Sequence, residues 1–526
     1  MPQITLNTRQ YRLGVLVLAL LGLVVVLITT SKYGAGVSSD AVRAMSTAEG
    51  LLAGRGFTDF VGSAYVLWPP LYPLALAGLS LLTRLDIFHA AWYLNLLLFP
   101  LNIWLWGRLF ERIFAGKLHY ALIAGAGAAL SSSMVRIYAN VASDPLFVTF
   151  LVLFFLSAGD YLGEASSRRL ADMSLWAALA MLQRYPGVTL LAVMGLAVLV
   201  KRGWKGVPLL LLAGGLAALP LGVWLVGHNL LGHGTLFGTR AYGEMLPLEN
   251  LSLSMTKVLH WFLPYAPGLK DLLLRPWIVL PAAALILILL NPGRAGGWRE
   301  WRGLLAGRDA WPPLVFAAAY YLLMAFTVNT IDHRDLTSDR YYIILLPALL
   351  VFLLLTWQAL VLRRLEGSRW AGAAAALLLL VWFIYPLYDL QEYLQLARVN
   401  GEPSNYNIYN SSHFTEMEVV KEGRRLAGEH PGAALYSNYV NLLWFQYKRP
   451  IRVLLPVDNS LPPGEREKVL RSEHPGWPGE APGYLIWFTP NEYKYLAGPE
   501  DLGRLAELTL IYRDDHGEIY EVRSRP

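Results

Sequence analysis

Apolar runs of about 20 residues recur along the chain from residue 11 to about residue 390 and then stop. A run of that length lets a helix cross a bilayer with every backbone polar group bonded internally. Basic residues cluster in the short segments between the runs. The clusters are Arg9 and Arg12; Arg108, Arg112 and Lys117; Arg168 and Arg169; Lys201, Arg202 and Lys205; Arg294, Arg299, Arg302 and Arg308; and Arg363, Arg364 and Arg369. Such residues are retained on the cytoplasmic side. With the N-terminus and all six clusters inside, the pattern predicts eleven spans, at about 12–31, 89–107, 119–138, 145–162, 172–184, 186–200, 206–229, 276–291, 311–329, 341–362 and 370–390. The fifth is short and broken at Arg184-Tyr185-Pro186, where proline ends or kinks a helix. Segment 70–82 is apolar for only about 13 residues. Counting it as a span would turn every later basic cluster outward, so it reads as a half-embedded helix. It shares a large first external loop, 32–88, with an amphipathic helix over 40–53.

Beyond residue 390 the period changes. Segments 434–437, 451–455 and 484–488 read as strands, 440–447 as a helix, 508–512 and 518–522 as a hairpin, and 462–483 as a Pro/Gly-rich loop. The expected architecture is an all-α polytopic membrane domain, 1–395, followed by a small extracytoplasmic α/β domain, 396–526. The first run has no small-residue cleavage site after it and is expected to remain as the first helix. No internal repeat of fixed period is apparent.

Composition narrows the class. Fifty-five per cent of the 526 residues are hydrophobic, which excludes a soluble enzyme for most of the length. The absence of cysteine excludes disulfides, thiolate metal sites and a cysteine nucleophile, and suits a bacterial or archaeal plasma membrane. The net charge of +6 is accounted for by the cytoplasmic clusters, so no nucleic-acid partner is implied.

The informative polar residues are those on the other side. Asp40 follows Ser38-Ser39 just past the first span. Ser39 or Asp40 can cap the next helix, and a carboxylate partly desolvated at the membrane surface can serve as a general base. In the same loop, Tyr65, Trp68 and Tyr72, with Pro69, Pro70 and Pro73, suit the wall of a lipid-facing cleft. Asp144 before Pro145 is a good N-cap and is also a carboxylate at membrane depth. Asp59, Asn140 and Asp144 are candidates for positioning acceptor or donor. Arg184, His333, Arg334, Arg340 and Tyr341 lie on the external side, against the charge rule. An ion pair with Asp332, Asp335 or Asp339 is one explanation for the arginines; a phosphate ligand is the other, because the planar guanidinium fits phosphate. His228 and His233 are five apart, a spacing that does not share one α-helical face, and no metal-binding motif occurs.

Taken in order, these pieces resemble the GT-C superfamily of integral-membrane glycosyltransferases, in the bacterial branch related to protein O-mannosyltransferases and the lipid A aminoarabinose transferase. The carrying residues are Ser39-Asp40 with Gly54-Arg55-Gly56-Phe57; Trp68 to Pro73; Ala142-Ser143-Asp144-Pro145-Leu146-Phe147; Gln183-Arg184-Tyr185; Asn229 to Arg240; and Asp339-Arg340-Tyr341-Tyr342 with Leu346-Pro347. The resemblance covers about residues 10–390. It implies inverting transfer of a sugar from a polyprenyl-phosphate donor to a lipid, glycan or protein acceptor at the external face. Asp40 would then be the base, Asp144 the second acidic position, and Arg340 with Arg184 the phosphate ligands. The sequence departs from the family pattern in three places. Asp40 is followed by Ala41 instead of a second acid, no Trp-Trp-Asp motif stands in the C-terminal domain, and no Asp-x-Asp occurs in the first loop. These departures disfavour en bloc oligosaccharide transfer and leave a divalent metal possible without a motif for it. A polytopic lipid or glycan transporter or flippase, or a non-catalytic envelope assembly protein, are the alternative classes; a transporter predicts pseudo-symmetric halves, which are not seen.

The topology is directly testable in this cysteine-free chain. Of single cysteines placed at Ser412 and Gly296, only Ser412→Cys is expected to react with an impermeant thiol reagent in intact cells. Labelling of Gly296→Cys alone would invert the orientation.

Overall fold

In the computed structural model the described residues are 6–238, 257–262, 296–330, 338–361, 369–401, 408–458, 460–479, 482–491, 493 and 495–525. The chain folds as two compact units. One comprises residues 1–29, 66–72 and 91–395; the other comprises 30–65, 73–90 and 396–526. Most of the expected external loop thus packs with the C-terminal residues.

The helices, in chain order, are α1 (Thr8–Thr30), α2 (Ser39–Leu52), α3 (Leu71–Thr83), α4 (Ile87–Ile113), α5 (Leu118–Ala129), α6 (Ser132–Ala139), α7 (Asp144–Gly163), α8 (Ser167–Gln183), α9 (Leu190–Arg202), α10 (Val207–Val223), α11 (Gly296–Leu305), α12 (Trp311–Thr330), α13 (Leu346–Thr356) and α14 (Arg369–Asn400). Among the described residues, five helical stretches are long and apolar enough to cross a membrane, or six if the bent pair α5–α6 is one span. The sequence pattern predicts eleven. The difference has identifiable causes. Expected span 119–138 is broken by a 54° bend, and 186–200 and 206–229 fall in one stretch, Tyr185–Leu231, interrupted by short 3-10 turns. Expected span 276–291 lies outside the described residues.

The first unit is held by close helix packing and by ion pairs at one end. Small residues let the helices approach. The Phe99 ring lies directly over Gly22, and Val15 sits where a side chain on Gly107 would project. Tyr11 completes this seam by donating to the Gly107 carbonyl at 2.7 Å. Arg12 and Arg108 both pair with Glu111, at 3.1 and 3.0 Å. Arg112 reaches Asp160 at 2.8 Å and Asp309 at 3.8 Å, Arg169 reaches Asp160 at 3.7 Å, and Arg308 reaches Asp309 at 3.1 Å. Four of the basic clusters therefore meet at one end of α1, α4, α7, α8 and α12. The 20 residues of α7 carry the chain away from this end, a rise of about 30 Å, so that Asp144 lies at the opposite end.

In the second unit, α15 (Ser412–Thr415), α16 (Glu418–Glu429), α17 (Val440–Tyr447), α18 (Pro463–Glu473) and α19 (Pro499–Leu505) accompany a five-stranded sheet. Its strands are β1 (Ala434–Ser437), β2 (Arg452–Val453), β3 (Gly483–Phe488), β4 (Ala506–Arg513) and β5 (Gly517–Ser524), in the order β2-β1-β3-β5-β4. β2, β1 and β3 run parallel, and the β4–β5 hairpin adds antiparallel. Leu454, Leu470, Leu485, Leu502 and Val522 form its core. Part of the segment read as a Pro/Gly-rich loop is the helix α18. Its sequence is charged and only Leu470 is buried, so it lacks the apolar period that would have revealed it. The first-loop residues pack on α17: Phe60 stacks on Trp444 at 5.3 Å, and Phe88 meets Phe445 edge-on at 5.5 Å. Lys448 sits 4.2 Å over the Phe445 ring. Burial pushes its amine below the ordinary lysine range, opposed by the charges of Glu49 and Asp86.

Asp309 packs against Gly159 so closely that a side chain there would collide with its carboxylate. Gly159→Leu is expected to destabilise the protein by about 1–3 kcal/mol through overpacking. Gly214→Leu, where nothing lies within 4 Å, serves as the control and leaves the melting temperature in detergent unchanged.

Candidate functional site

α6 ends at Asn140, whose backbone is extended with ψ 147°. The Asn140 amide donates to the Arg136 carbonyl at 2.9 Å, and Asn95 donates to the Asn140 carbonyl at 2.5 Å. These bonds fix the turn into α7. Ser143 is the N-cap residue of α7 and makes no side-chain cap bond; Asp144 is the first helical residue, with Pro145 next. Asp144 is therefore not the cap that its place before proline suggested. Its carboxylate, in a residue only 1% exposed, pairs with Arg184 and with Arg340, the latter Nε to Oδ2 at 2.9 Å. Of the acids expected to pair with Arg340, Asp332 and Asp335 lie outside the described residues, as do His333 and Arg334. The carboxylate that the structure shows paired with it is 196 residues away in sequence.

Each arginine is presented by a break in helical structure. Arg184 is extended, at φ −151° and ψ 136°, between α8 and the 3-10 turn Tyr185–Thr189. Its neighbour Gln183 donates to the Ser143 carbonyl at 2.9 Å, which ties this break to the start of α7. Arg340 lies in the 3-10 turn Asp339–Tyr341. Tyr320 anchors that turn by donating to the Tyr341 carbonyl at 2.8 Å, and Trp261 donates to Asp339 at 2.6 Å. The Tyr341 ring stands 5.6 Å from the Arg184 guanidinium and 5.8 Å from that of Arg340. Tyr72 is buried within electrostatic reach of Arg340 and Asp144. Below, buried Asn102 donates to Tyr138 and to the Pro145 carbonyl, both at 2.9 Å, and accepts from Thr149 at 2.9 Å.

A second junction gathers other motif residues. The Val66 carbonyl, two residues before Trp68, accepts from Asn229 at 3.0 Å and from Tyr185 at 3.5 Å. Asn229 also donates to the Leu236 carbonyl at 2.7 Å, and the Phe237 ring meets Tyr185 edge-on at 5.4 Å. Gly238, at φ +74°, passes so close to Leu67 that a side chain would not fit. The segments around residues 66, 185, 229 and 238 therefore form one knot around buried Asn229, whereas Arg240 lies outside the described residues. Here the chain corrects a helical-face argument. Trp224–Leu231 is π-helical, and the His228 and His233 rings meet edge-on at 4.9 Å despite their spacing of five. Among the described residues, no group of three or more His, Cys, Asp or Glu is placed to hold a metal ion.

Asp40, Asp59 and Tyr65 belong to the second unit. The cap of α2 is Ser38, which accepts from the Ala41 amide at 3.4 Å; Asp40 is half-buried in the first turn, not capping. The approach to it is clamped by buried Asn410, which accepts from the Val37 amide at 2.9 Å and donates to the Tyr33 and Ala35 carbonyls at 2.6 and 2.8 Å. Tyr409 donates its amide to the Val37 carbonyl at 2.8 Å. Burial raises the Tyr409 phenol above the ordinary tyrosine range, and the Asp40 charge adds to the rise. Asp59 closes a turn: its carboxylate accepts from the Val61 and Ser63 amides at 3.1 and 2.8 Å, and burial pushes it above the usual carboxylate range. The Tyr65 amide pairs with the Phe57 carbonyl at 2.9 Å, closing the same hairpin.

Asn102, Thr149, Trp261, Tyr320 and Asn410 were not singled out in the sequence. A signal existed for the asparagines Asn95 and Asn102, since amides within an apolar run need buried partners. None existed for Trp261 or Tyr320.

No family model and no curated protein matches the chain. Solved structures do. ArnT from Cupriavidus metallidurans in its apo state matches with a TM-score of 0.55 at 16% identity, over 96% of this chain and 97% of that one. The same protein bound to undecaprenyl phosphate matches with a TM-score of 0.57 at 15% identity, over the same shares. The oligosaccharyltransferase AglB from Archaeoglobus fulgidus, in complex with an inhibitory peptide and a dolichol-phosphate, matches with a TM-score of 0.52 at 14% identity, over 91% of this chain and 69% of that one. At these identities the likeness is one of fold, and it extends over nearly the whole chain.

Removing Asp144 would take from two half-buried guanidiniums the buried carboxylate they share. Asp144→Ala is expected to destabilise the protein by about 3–5 kcal/mol. Thermal unfolding in detergent measures it, and an unchanged midpoint would show that the pairing does not hold the three helix breaks together.

Proposed function

We propose that this chain, which has the fold of the GT-C membrane glycosyltransferases, moves a single sugar from a polyprenyl-phosphate donor to an acceptor hydroxyl at the external face of a bacterial or archaeal plasma membrane. The acceptor is a lipid, glycan or protein. The observation that carries the reading is the Arg184–Asp144–Arg340 cluster. Two guanidiniums converge there on one buried carboxylate, which places donors suited to an anion at one point. Guanidinium also presents several N–H donors in a plane, which matches phosphate oxygens. The ion-paired basic clusters lie at the far end of α7, in keeping with a cytoplasmic end and an external site. The likeness to ArnT bound to undecaprenyl phosphate and to AglB in complex with a dolichol-phosphate supports the same class of donor. The finer reading includes eleven spans and an external domain at 396–526.

In the proposed reaction, the Asp40 carboxylate accepts the proton of the acceptor hydroxyl. The acceptor oxygen forms a bond to the anomeric carbon from the face opposite the phosphate. The bond from that carbon to the phosphate oxygen breaks, and its electron pair leaves with the polyprenyl phosphate. Arg340 and Arg184 stabilise the charge that develops there.

Two substitutions separate the roles. Ser38 supplies the helix cap, so Asp40→Asn keeps the fold while removing the base. Turnover of a supplied polyprenyl-phosphate sugar should fall by about 10²- to 10⁴-fold with the melting temperature unchanged. Near-normal turnover removes Asp40 from that role. Arg340→Lys should weaken donor binding by losing the planar fork, and Arg340→Ala should weaken it further, by about 2–3 kcal/mol. Donor titration decides; unchanged affinity with lowered thermal stability would make the arginine structural.

A further inference from the structure

Within the first unit, a cavity of about 380 Å³ opens between α5, α6, the segment at residues 257–261, the Asp339 turn and α14. Its charged lining is Arg136 and Lys257 against Asp339 and Asp389. Burial, with the charge of Lys257, pushes His260 below the ordinary histidine range, against the charges of Asp339 and Asp389. The formal charges of the lining therefore cancel. Three rings, Trp261, Trp382 and Tyr385, complete it. They are locked: Trp382 donates to the Phe262 carbonyl at 2.9 Å, Tyr385 donates to the His260 carbonyl at 2.9 Å, and Trp261 donates to Asp339 at 2.6 Å. Ser132 donates to Asp389.

Rigid ring faces with a few fixed polar groups orient a compact ligand bearing both C–H faces and hydroxyls. A charged ligand would leave one charge uncompensated in this balanced lining, whereas hydroxyls can bond to groups of either sign. The cavity also has a fixed neighbour. Asp339 lines it, and Arg340, the next residue in the same turn, holds the Asp144 cluster. In a glycosyl phosphate, sugar and phosphate are directly bonded, so their subsites must adjoin. We infer that this cavity is the subsite for the donor's glycosyl unit and that it takes an uncharged sugar. The inference rests on the proposed donor class.

The test uses the full chain in nanodiscs, with two probes measured separately. One is a panel of methyl glycosides: neutral (glucoside, galactoside, mannoside, xyloside), acidic (glucuronide) and basic (glucosaminide), read by saturation-transfer NMR. The other is undecaprenyl phosphate, which has no sugar. A neutral glycoside is expected to bind saturably and in preference to the charged ones. The near-isosteric Asp389→Asn, and independently Trp382→Phe, should each weaken it by about tenfold, the worth of one hydrogen bond to a charged group or one well-placed ring. Undecaprenyl phosphate affinity should stay at the wild-type value in both, which also reports that the variants are folded. Absence of saturable glycoside binding, preference for a charged glycoside, or indifference to both substitutions would overturn the inference. So would a loss of undecaprenyl phosphate affinity in both variants matching that of Arg340→Ala, since the cavity would then belong to the phosphate site. Failure of the wild-type protein to bind undecaprenyl phosphate, with glycoside binding intact and sensitive to both substitutions, would overturn the donor reading and keep the sugar subsite.

Discussion

One buried carboxylate shared by two arginines organises the end of the first unit at which α7 begins. Asp144 begins α7, Arg184 ends α8, and Arg340 stands in the turn Asp339–Tyr341. Each residue sits where a helix has stopped and backbone groups lose their intrahelical partners. The pairing draws these three breaks to one point, with two guanidiniums on one carboxylate. A buried ion pair is weak evidence for net stabilisation, because desolvation offsets much of the attraction. Among solved structures of similar fold, ArnT is seen with undecaprenyl phosphate and AglB with a dolichol-phosphate.

The supporting shell explains why the cluster can keep its geometry. Asn102 and Thr149 hold the first turn of α7 from below, Gln183 ties the α8 break to Ser143, and Tyr320 anchors the Arg340 turn. Each of these hydrogen bonds joins a side chain to a chain segment more than 20 residues away in sequence, and those of Asn102 and Thr149 are buried. At the opposite end, Arg112, Asp160, Arg169, Arg308 and Asp309 form a separate network. The two ends of α7 thus carry different ion-pair arrangements: a basic network around Asp160 and Asp309 at one, two arginines on Asp144 at the other.

Much of this was legible in the sequence, and the misses have physical causes. The apolar runs located α1, α4 and α7, because long uninterrupted apolarity has one structural meaning. The short and bent helices were harder, since hydropathy is blind to the break between α5 and α6 and to the turns inside Tyr185–Leu231. The helix α18 escaped because its surface is charged nearly all round. Asp144, Arg184 and Arg340 each stand out in the sequence, but local pattern offered Asp144 a cap and Arg340 a neighbouring acid. The pairing that occurs joins positions 40 and 196 residues apart, which no local rule can see. Asp40 reads as a possible cap, yet Ser38, two residues earlier, fills that role. The His228–His233 argument failed because it assumed α-helical winding through a π-helical turn.

The central claim is that the Asp144 cluster is where the donor's phosphate is bound. The most direct measurement is an experimental structure of the protein in nanodiscs with undecaprenyl phosphate. The account predicts phosphate density within hydrogen-bonding or single-water reach of the Arg184 or Arg340 guanidinium, with Asp144 still between them. Ordered phosphate elsewhere, with the Arg184–Asp144–Arg340 cluster unchanged, would contradict it.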